Sequence, residues 1–238
     1  MAADKTGNGT ASRPDPAGTG AKVFVIRDCA LVVVATGRKA RILQEFRNHL
    51  RDVVPGSIYH HFWGGLLQPR FGEREYNNDF ANWVRHGIHD AVLAERLAAL
   101  DPTHFADMEH LRAEILELID TRLDEQEHLS WAHATEAFEF VHSQVVVFDT
   151  NRRLASPADL ATSIPGLSRS SIFYHFIEAR RRTPDARDDF SDWLDNFGEA
   201  WRPLQQVLAG IDPYFGNLRD LRDRLTAAVT SGGSRRAP

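Results

Sequence analysis

Ser57-Ile-Tyr-His-His-Phe62 and Ser171-Ile-Phe-Tyr-His-Phe176 decide the reading of this chain, because the second stretch repeats the first after 114 residues. Serine, isoleucine, histidine and phenylalanine fall at the same four places in both. Ile58 and Phe62 are spaced i, i+4 and share one helix face, so each stretch predicts a helix with its serine as the cap. Outward from this core, 24–62 aligns with 138–176 without a gap. The pairs Phe24/Phe138, Val32/Val146, Val33/Val147, Thr36/Thr150, Arg38/Arg152, Ser57/Ser171, Ile58/Ile172, His61/His175 and Phe62/Phe176 are identical, 9 of 39 positions. Unrelated segments would share roughly two. The order continues with Asp79-Phe80-x-x-Trp83 against Asp189-Phe190-x-x-Trp193, Asp101-Pro102 against Asp212-Pro213, and Leu111-Arg112 against Leu221-Arg222. An internal duplication is the expectation.

Each copy opens on β-favouring residues, Phe24-Val-Ile and Leu31-Val-Val-Val in the first, Phe138-Glu-Phe-Val and Val145-Val-Val-Phe in the second. Helices follow. Ser156 with Pro157 marks one start in the second copy, and Asp79 and Asp189 sit where an anion suits a helix dipole. Ala91–Leu100 predicts a helix that stops at Asp101-Pro102, since the residue before proline disfavours α geometry. Met108, Leu111, Ile115, Leu118 and Ile119 carry the apolar stripe of a last helix, matched by Leu218, Leu221 and Leu225. The predicted fold is α+β and predominantly helical: two homologous tandem units, each a short β element and four or five helices, related by an approximate two-fold axis. The expected boundaries are a tail over 1–21, units over 22–128 and 134–230, a linker over 129–133, and a tail over 231–238.

The chain has 238 residues, 42% of them hydrophobic and 26% charged, which is a globular composition. Lys+Arg 28 against Asp+Glu 33 gives a net charge of -5, which argues against a protein coated with nucleic acid or anionic lipid. Its one cysteine, Cys29, excludes an intrachain disulfide framework and a four-cysteine zinc site. The longest apolar run, Ala30–Ala35, is too short to span a bilayer. Without a signal pattern, the expected location is the cytoplasm.

The two Ser-Ile-x-x-His-Phe motifs, Asn78-Asp79-Phe80-Ala-x-Trp83, Thr36-Gly37-Arg38 and Leu93-Ala-Glu95-Arg-Leu97 together resemble a bacterial and archaeal group, domain of unknown function family 5752. The resemblance runs from Phe24 to about Leu225 and implies no reaction. The second copy departs from it at Asn151, in place of Gly37, and at Asp188, in place of Asn78.

Three constellations carry candidate chemistry. His61 with Asp79, and His175 with Asp189, offer an imidazole oriented by a carboxylate, with Ser57 and Ser171 one helical turn earlier. The competing reading makes each imidazole a bridge between helices, with Phe62 and Trp83 packed round it. His60, His61, Glu73, Glu75 and Asp79 supply metal donors but lack His-x-x-x-His or Glu-x-x-His spacing, so no metal or other cofactor is expected. Asp159–Phe176 is similar to the helix-turn-helix of TetR-type repressors, with Arg169 and Arg180–Arg182 as phosphate contacts. The two copies also differ in the loop after the motif: one carries His60, Glu73, Glu75, Tyr76, Asn77 and Asn78, the other Arg180, Arg181, Arg182 and Arg187.

The reading favoured is an interaction module for a small molecule or a protein, with Tyr59, Trp83, Tyr174, Trp193, Arg180, Arg181 and Arg182 as binding residues. The alternatives are a hydrolase-like enzyme with its His-Asp pair in a cleft between units, and a TetR-like DNA-binding protein. Neither nucleic acid nor membrane is the expected partner.

Overall fold

The computed structural model describes residues 23–68, 75–183, 185–214 and 216–234. The tail expected over 1–21 lies outside them, as does Glu73. In chain order the elements are β1 (Phe24–Ile42), α1 (Leu43–Asp52), α2 (Pro55–Trp63), α3 (Asp79–Trp83), α4 (Ala91–Ala98), α5 (Met108–Glu125), β2 (His133–Leu154), α6 (Asp159–Ser163), α7 (Arg169–Ile172), α8 (Ala179–Arg182), α9 (Asp189–Leu194), α10 (Arg202–Ala209) and α11 (Leu218–Ser234). Two π-helical stretches, Val84–Ile88 and Phe173–Glu178, extend α3 and join α7 to α8. No helix among the described residues is long and apolar enough to cross a membrane.

β1 and β2 pair antiparallel along nearly their whole length, from Phe24 opposite Leu154 to Ile42 opposite His133. The register slips between Ile26 and Arg27 and between Ala35 and Lys39, next to the two Thr-x-Arg signatures. Thr36 donates its hydroxyl hydrogen to the Phe140 carbonyl at 2.5 Å, and Thr150 donates to the Ile26 carbonyl at 2.6 Å. The residue after each threonine has a left-handed backbone, Gly37 at φ 76° and Asn151 at φ 58°. Asparagine is one of the few side chains that tolerate this region, so the exchange of Gly37 for Asn151 preserves the turn. The middle of the ribbon is solvent-exposed, with Val33 and Phe148 about half accessible.

The ends of the ribbon are buried, and they determine the architecture. Phe138 and Phe140 of β2 enter the aromatic cluster of Phe46, Phe80 and Trp83 from α1 and α3, with Phe46 stacked on Trp83 at 5.0 Å. Phe24 of β1 packs instead in the second half of the chain, against His175 at 4.9 Å, Trp193 at 5.3 Å and Phe190 at 5.4 Å. Each fully buried aromatic contributes on the order of 1.5–3 kcal/mol, so the core of each half draws stability from the other's strand. Trp63 and Phe62 of α2 also meet Tyr214, at 5.0 and 6.0 Å, and the buried residues form one continuous core.

This corrects the expected pair of tandem units about a two-fold axis. The described residues hold one sheet shared by both halves, with strands of 19 and 22 residues in place of two short β elements. The helices do not match either: Ser57–Phe62 lies within one α-helix, whereas Ser171–Phe176 passes from α into π geometry. Sequence similarity misleads because a strand's residues record that it pairs, not with which partner.

Capping also differs from the sequence expectation. α2 begins at Pro55, two residues before Ser57, and α7 is capped by Ser168, which accepts the Ser171 N–H. Asn78 caps α3 and Asp188 caps α9, so these two positions share a helix-starting role. The repeated Leu-Arg pairs anchor loops: Arg112 donates to the carbonyls of Leu50 and Val53, and Arg222 to that of Leu167.

Candidate functional site

α2 and α3 bring His61 to Asp79. The imidazole Nδ1 lies 3.1 Å from Asp79 Oδ2, and Nε2 accepts the Val141 N–H of β2 at 3.3 Å. The π-helical stretch before α8 places His175 likewise, with Nδ1 2.7 Å from Asp189 Oδ2 and Nε2 accepting the Arg27 N–H of β1 at 2.8 Å. These partners fix the tautomer: Nδ1 carries the proton toward the carboxylate, and the Nε2 lone pair points at a peptide N–H. Both rings are buried among aromatic neighbours, His61 at 4.7 Å from Phe138 and His175 at 5.7 Å from Phe190. Each histidine therefore ties two helical segments to the strand contributed by the other half. The candidate nucleophiles do not join them in a triad: Ser57 Oγ is buried with no hydrogen-bond partner, and Ser171 Oγ accepts from Ser168 at 3.0 Å.

His60, His61 and Asp79 place donor atoms within 4.8 Å of one another, close enough to enclose an ion. The fit is poor, because His61 directs its Nδ1 proton at Asp79 and its Nε2 lone pair at Val141. His60 Nδ1 makes a short contact with Ser143 Oγ. Glu75 lies apart from this group, paired with His86 at 2.9 Å.

The predicted binding residues separate into buried and cleft positions. Tyr59 is buried and donates to Glu178 Oε2 at 2.5 Å, while Arg181 holds the other oxygen of Glu178. Burial, with the adjacent Glu178 carboxylate, raises the Tyr59 phenol well above its ordinary range. Trp83 donates its indole N–H to the Glu136 carbonyl at 2.8 Å and faces the core. Trp193 is buried between Phe24 and Phe197. Tyr174 carries the Arg182 guanidinium 4.3 Å above its ring, and Arg182 also reaches Asp189 at 2.9 Å. Glu178 escaped the sequence reading, although an acid inside the apolar run Ile172–Ala179 signals a buried partner.

Clefts open on the surface of the described residues, and two of them involve the predicted positions. One, of about 490 Å³, runs between β1 at Cys29–Leu31, the end of α2 at His60 and Gly64, and the turn at Ser168–Ser170. Burial and the neighbouring Asp28 carboxylate push its Cys29 thiol up to about 12. Gly64 is required here, because a Cβ would stand 2.6 Å from His60 Nδ1. The other cleft, of about 480 Å³, is lined by Arg180, Arg187, Arg202, Ser191, Gln205 and Asp188 among others. Desolvation lowers Arg180 and raises Asp188 from their ordinary values.

The helix-turn-helix candidate is built differently from a groove reader. Residues 171–179 are all buried, and of the proposed phosphate contacts Arg181 is engaged by Glu178, Arg182 by Asp189 and Arg180 by the Phe176 ring, which leaves Arg169 without such a neighbour among those four.

A family model, described as a family of unknown function (DUF5752), matches residues 21–230. Among solved structures, OrfY from Thermoproteus tenax is similar over 91% of this chain and 98% of its own, with a TM-score of 0.78 and 26% identity. No curated protein matches.

Proposed function

This chain belongs to the DUF5752 family, and from that premise we propose that it is a binding module for a small molecule or partner protein, with its repeated His-Asp pairs serving as scaffold. The observation that carries this reading is the double engagement of each imidazole. A general base needs an Nε2 lone pair directed at the proton it removes. In both His61 and His175 that lone pair faces a backbone N–H inside the core. What remains accessible is a pair of open clefts with hydroxyl, amide and guanidinium groups on their walls, the usual furniture of recognition.

Diethylpyrocarbonate modification, read by mass spectrometry on the native chain, tests the scaffold. His104 and His110, 80% and 68% exposed, should react, and His61 and His175 should be protected until the protein unfolds. Native modification of His61 or His175 at the rate of His104 would overturn the scaffold role and favour the enzyme alternative. Capture of a bound molecule or protein from a cell lysate on the immobilised parent chain tests the binding half.

A further inference from the structure

Arg180 differs from the arginines around it. Arg181 holds Glu178, Arg182 holds Asp189, Arg187 holds Asp195 at 2.5 Å, and Arg202 holds Glu199 at 3.0 Å. Arg180 makes no contact ion pair among the described residues, although the carboxylates of Asp188, Asp212 and Asp101 act on it at longer range. Its guanidinium carbon lies 4.7 Å from the centre of the Phe176 ring, and its Nε is buried without an acceptor. An aromatic face attracts a cation but offers no lone pair in the guanidinium plane, so directed N–H groups stay unsatisfied there. Buried donors are nearly always paired, and an exception calls for a reason.

We propose that Arg180 is the anchor of a binding site for a small molecule carrying an oxyanion group, seated in the cleft between α8, α9 and α10. Arg180 lines the cleft, and the fork of its guanidinium suits a carboxylate or phosphate head. Arg187 and Arg202, each already paired with a carboxylate, stand at the rim, and Gln205 and Gln206 supply amides for the remainder of the molecule. The volume of about 480 Å³ falls within the range of small-molecule sites. Asp185 and Asp188 also face the cleft and limit its net charge, which favours a single oxyanion head over a polyanion such as nucleic acid. Packing explains why the arginine is held ready: the Phe176 ring lies against its guanidinium from one side, so little side-chain freedom is lost on binding.

The site deepens the binding-module reading and rests on it. The experiment is a nitrogen-15 NMR titration of arginine side chains in the full chain, with sodium phosphate and sodium citrate added separately at ionic strength matched by sodium chloride. The expected result is a saturable shift with at least one anion, absent in Arg180→Met, whose unbranched side chain has similar length without the guanidinium. Saturation by phosphate alone or by citrate alone identifies the head group. Should Arg180→Met fail to fold, Arg180→Lys keeps the charge without the fork and is expected to bind about tenfold more weakly. No saturable shift with either anion, or unchanged affinity in the folded variant, overturns the site. Successful lysate capture alongside that failure would remove this site and leave the module reading standing.

Discussion

The Tyr59 hydroxyl donates to Glu178 at 2.5 Å across 119 positions of sequence, joining α2 to the π-helical segment of the second half. Glu178 is buried, and its other oxygen is held by the half-exposed Arg181. The carboxylate is thus a three-way junction between the halves. Tyr59→Phe should remove one hydrogen bond from a buried acid and destabilise the chain by about 1–3 kcal/mol. Glu178→Ala should cost more, since it leaves both Tyr59 and Arg181 without their acceptor. Urea midpoints of the two single variants and the double variant give the coupling, and strict additivity would contradict the junction.

His61→Ala and His175→Ala should each lower stability. Either change leaves a strand N–H without its acceptor and opens a hole beside Phe138 or Phe190. The loss of the paired acceptor alone is worth about 1–3 kcal/mol. Thermal melts measure it, and parent-like melts for both would show that the rings do not hold the strands.

Asn151 tests the turn at the ribbon's slip in register. Asn151→Gly should change stability by a few tenths of a kcal/mol at most, because glycine shares the left-handed backbone already present at Gly37. Asn151→Val should cost about 1–2 kcal/mol, because a β-branched side chain is strained at φ 58°. A valine variant as stable as the parent would mean that the turn can relax.

Cys29 should be slow to alkylate. Its thiol is buried and held up to about 12, so at neutral pH nearly all of it is the unreactive protonated form. The rate with iodoacetamide should rise as pH approaches that value, and unfolding by urea should raise it sharply at fixed pH. Native labelling as fast as that of a small free thiol would show that the cleft wall at Cys29 opens readily.

The sequence determined which residues matter locally. The repeated Ser-Ile-x-x-His-Phe and Asp-Phe-x-x-Trp motifs mark the segments whose histidine and aspartate meet, because a buried polar group forces a nearby partner and both lie on short, neighbouring helical segments. Runs of β-favouring residues located the beginning of β1 at Phe24 and the part of β2 from Phe138, five residues after its start at His133, and Asp101-Pro102 located the end of α4. Tertiary structure alone decided the pairing of β1 with β2, since backbone hydrogen bonds between strands carry no record of partner identity in the side chains. From that pairing follow the exchange of Phe24 and Phe138 between halves and the occupation of both Nε2 atoms by distant N–H groups. Arg180 is the same lesson at one residue. Within Arg180-Arg181-Arg182 all three positions look alike, and only the placement of Glu178, Asp189 and Phe176 around them leaves the first without a contact ion pair among the described residues. Three-dimensional packing distributes acceptors unequally among identical side chains, and a linear pattern cannot.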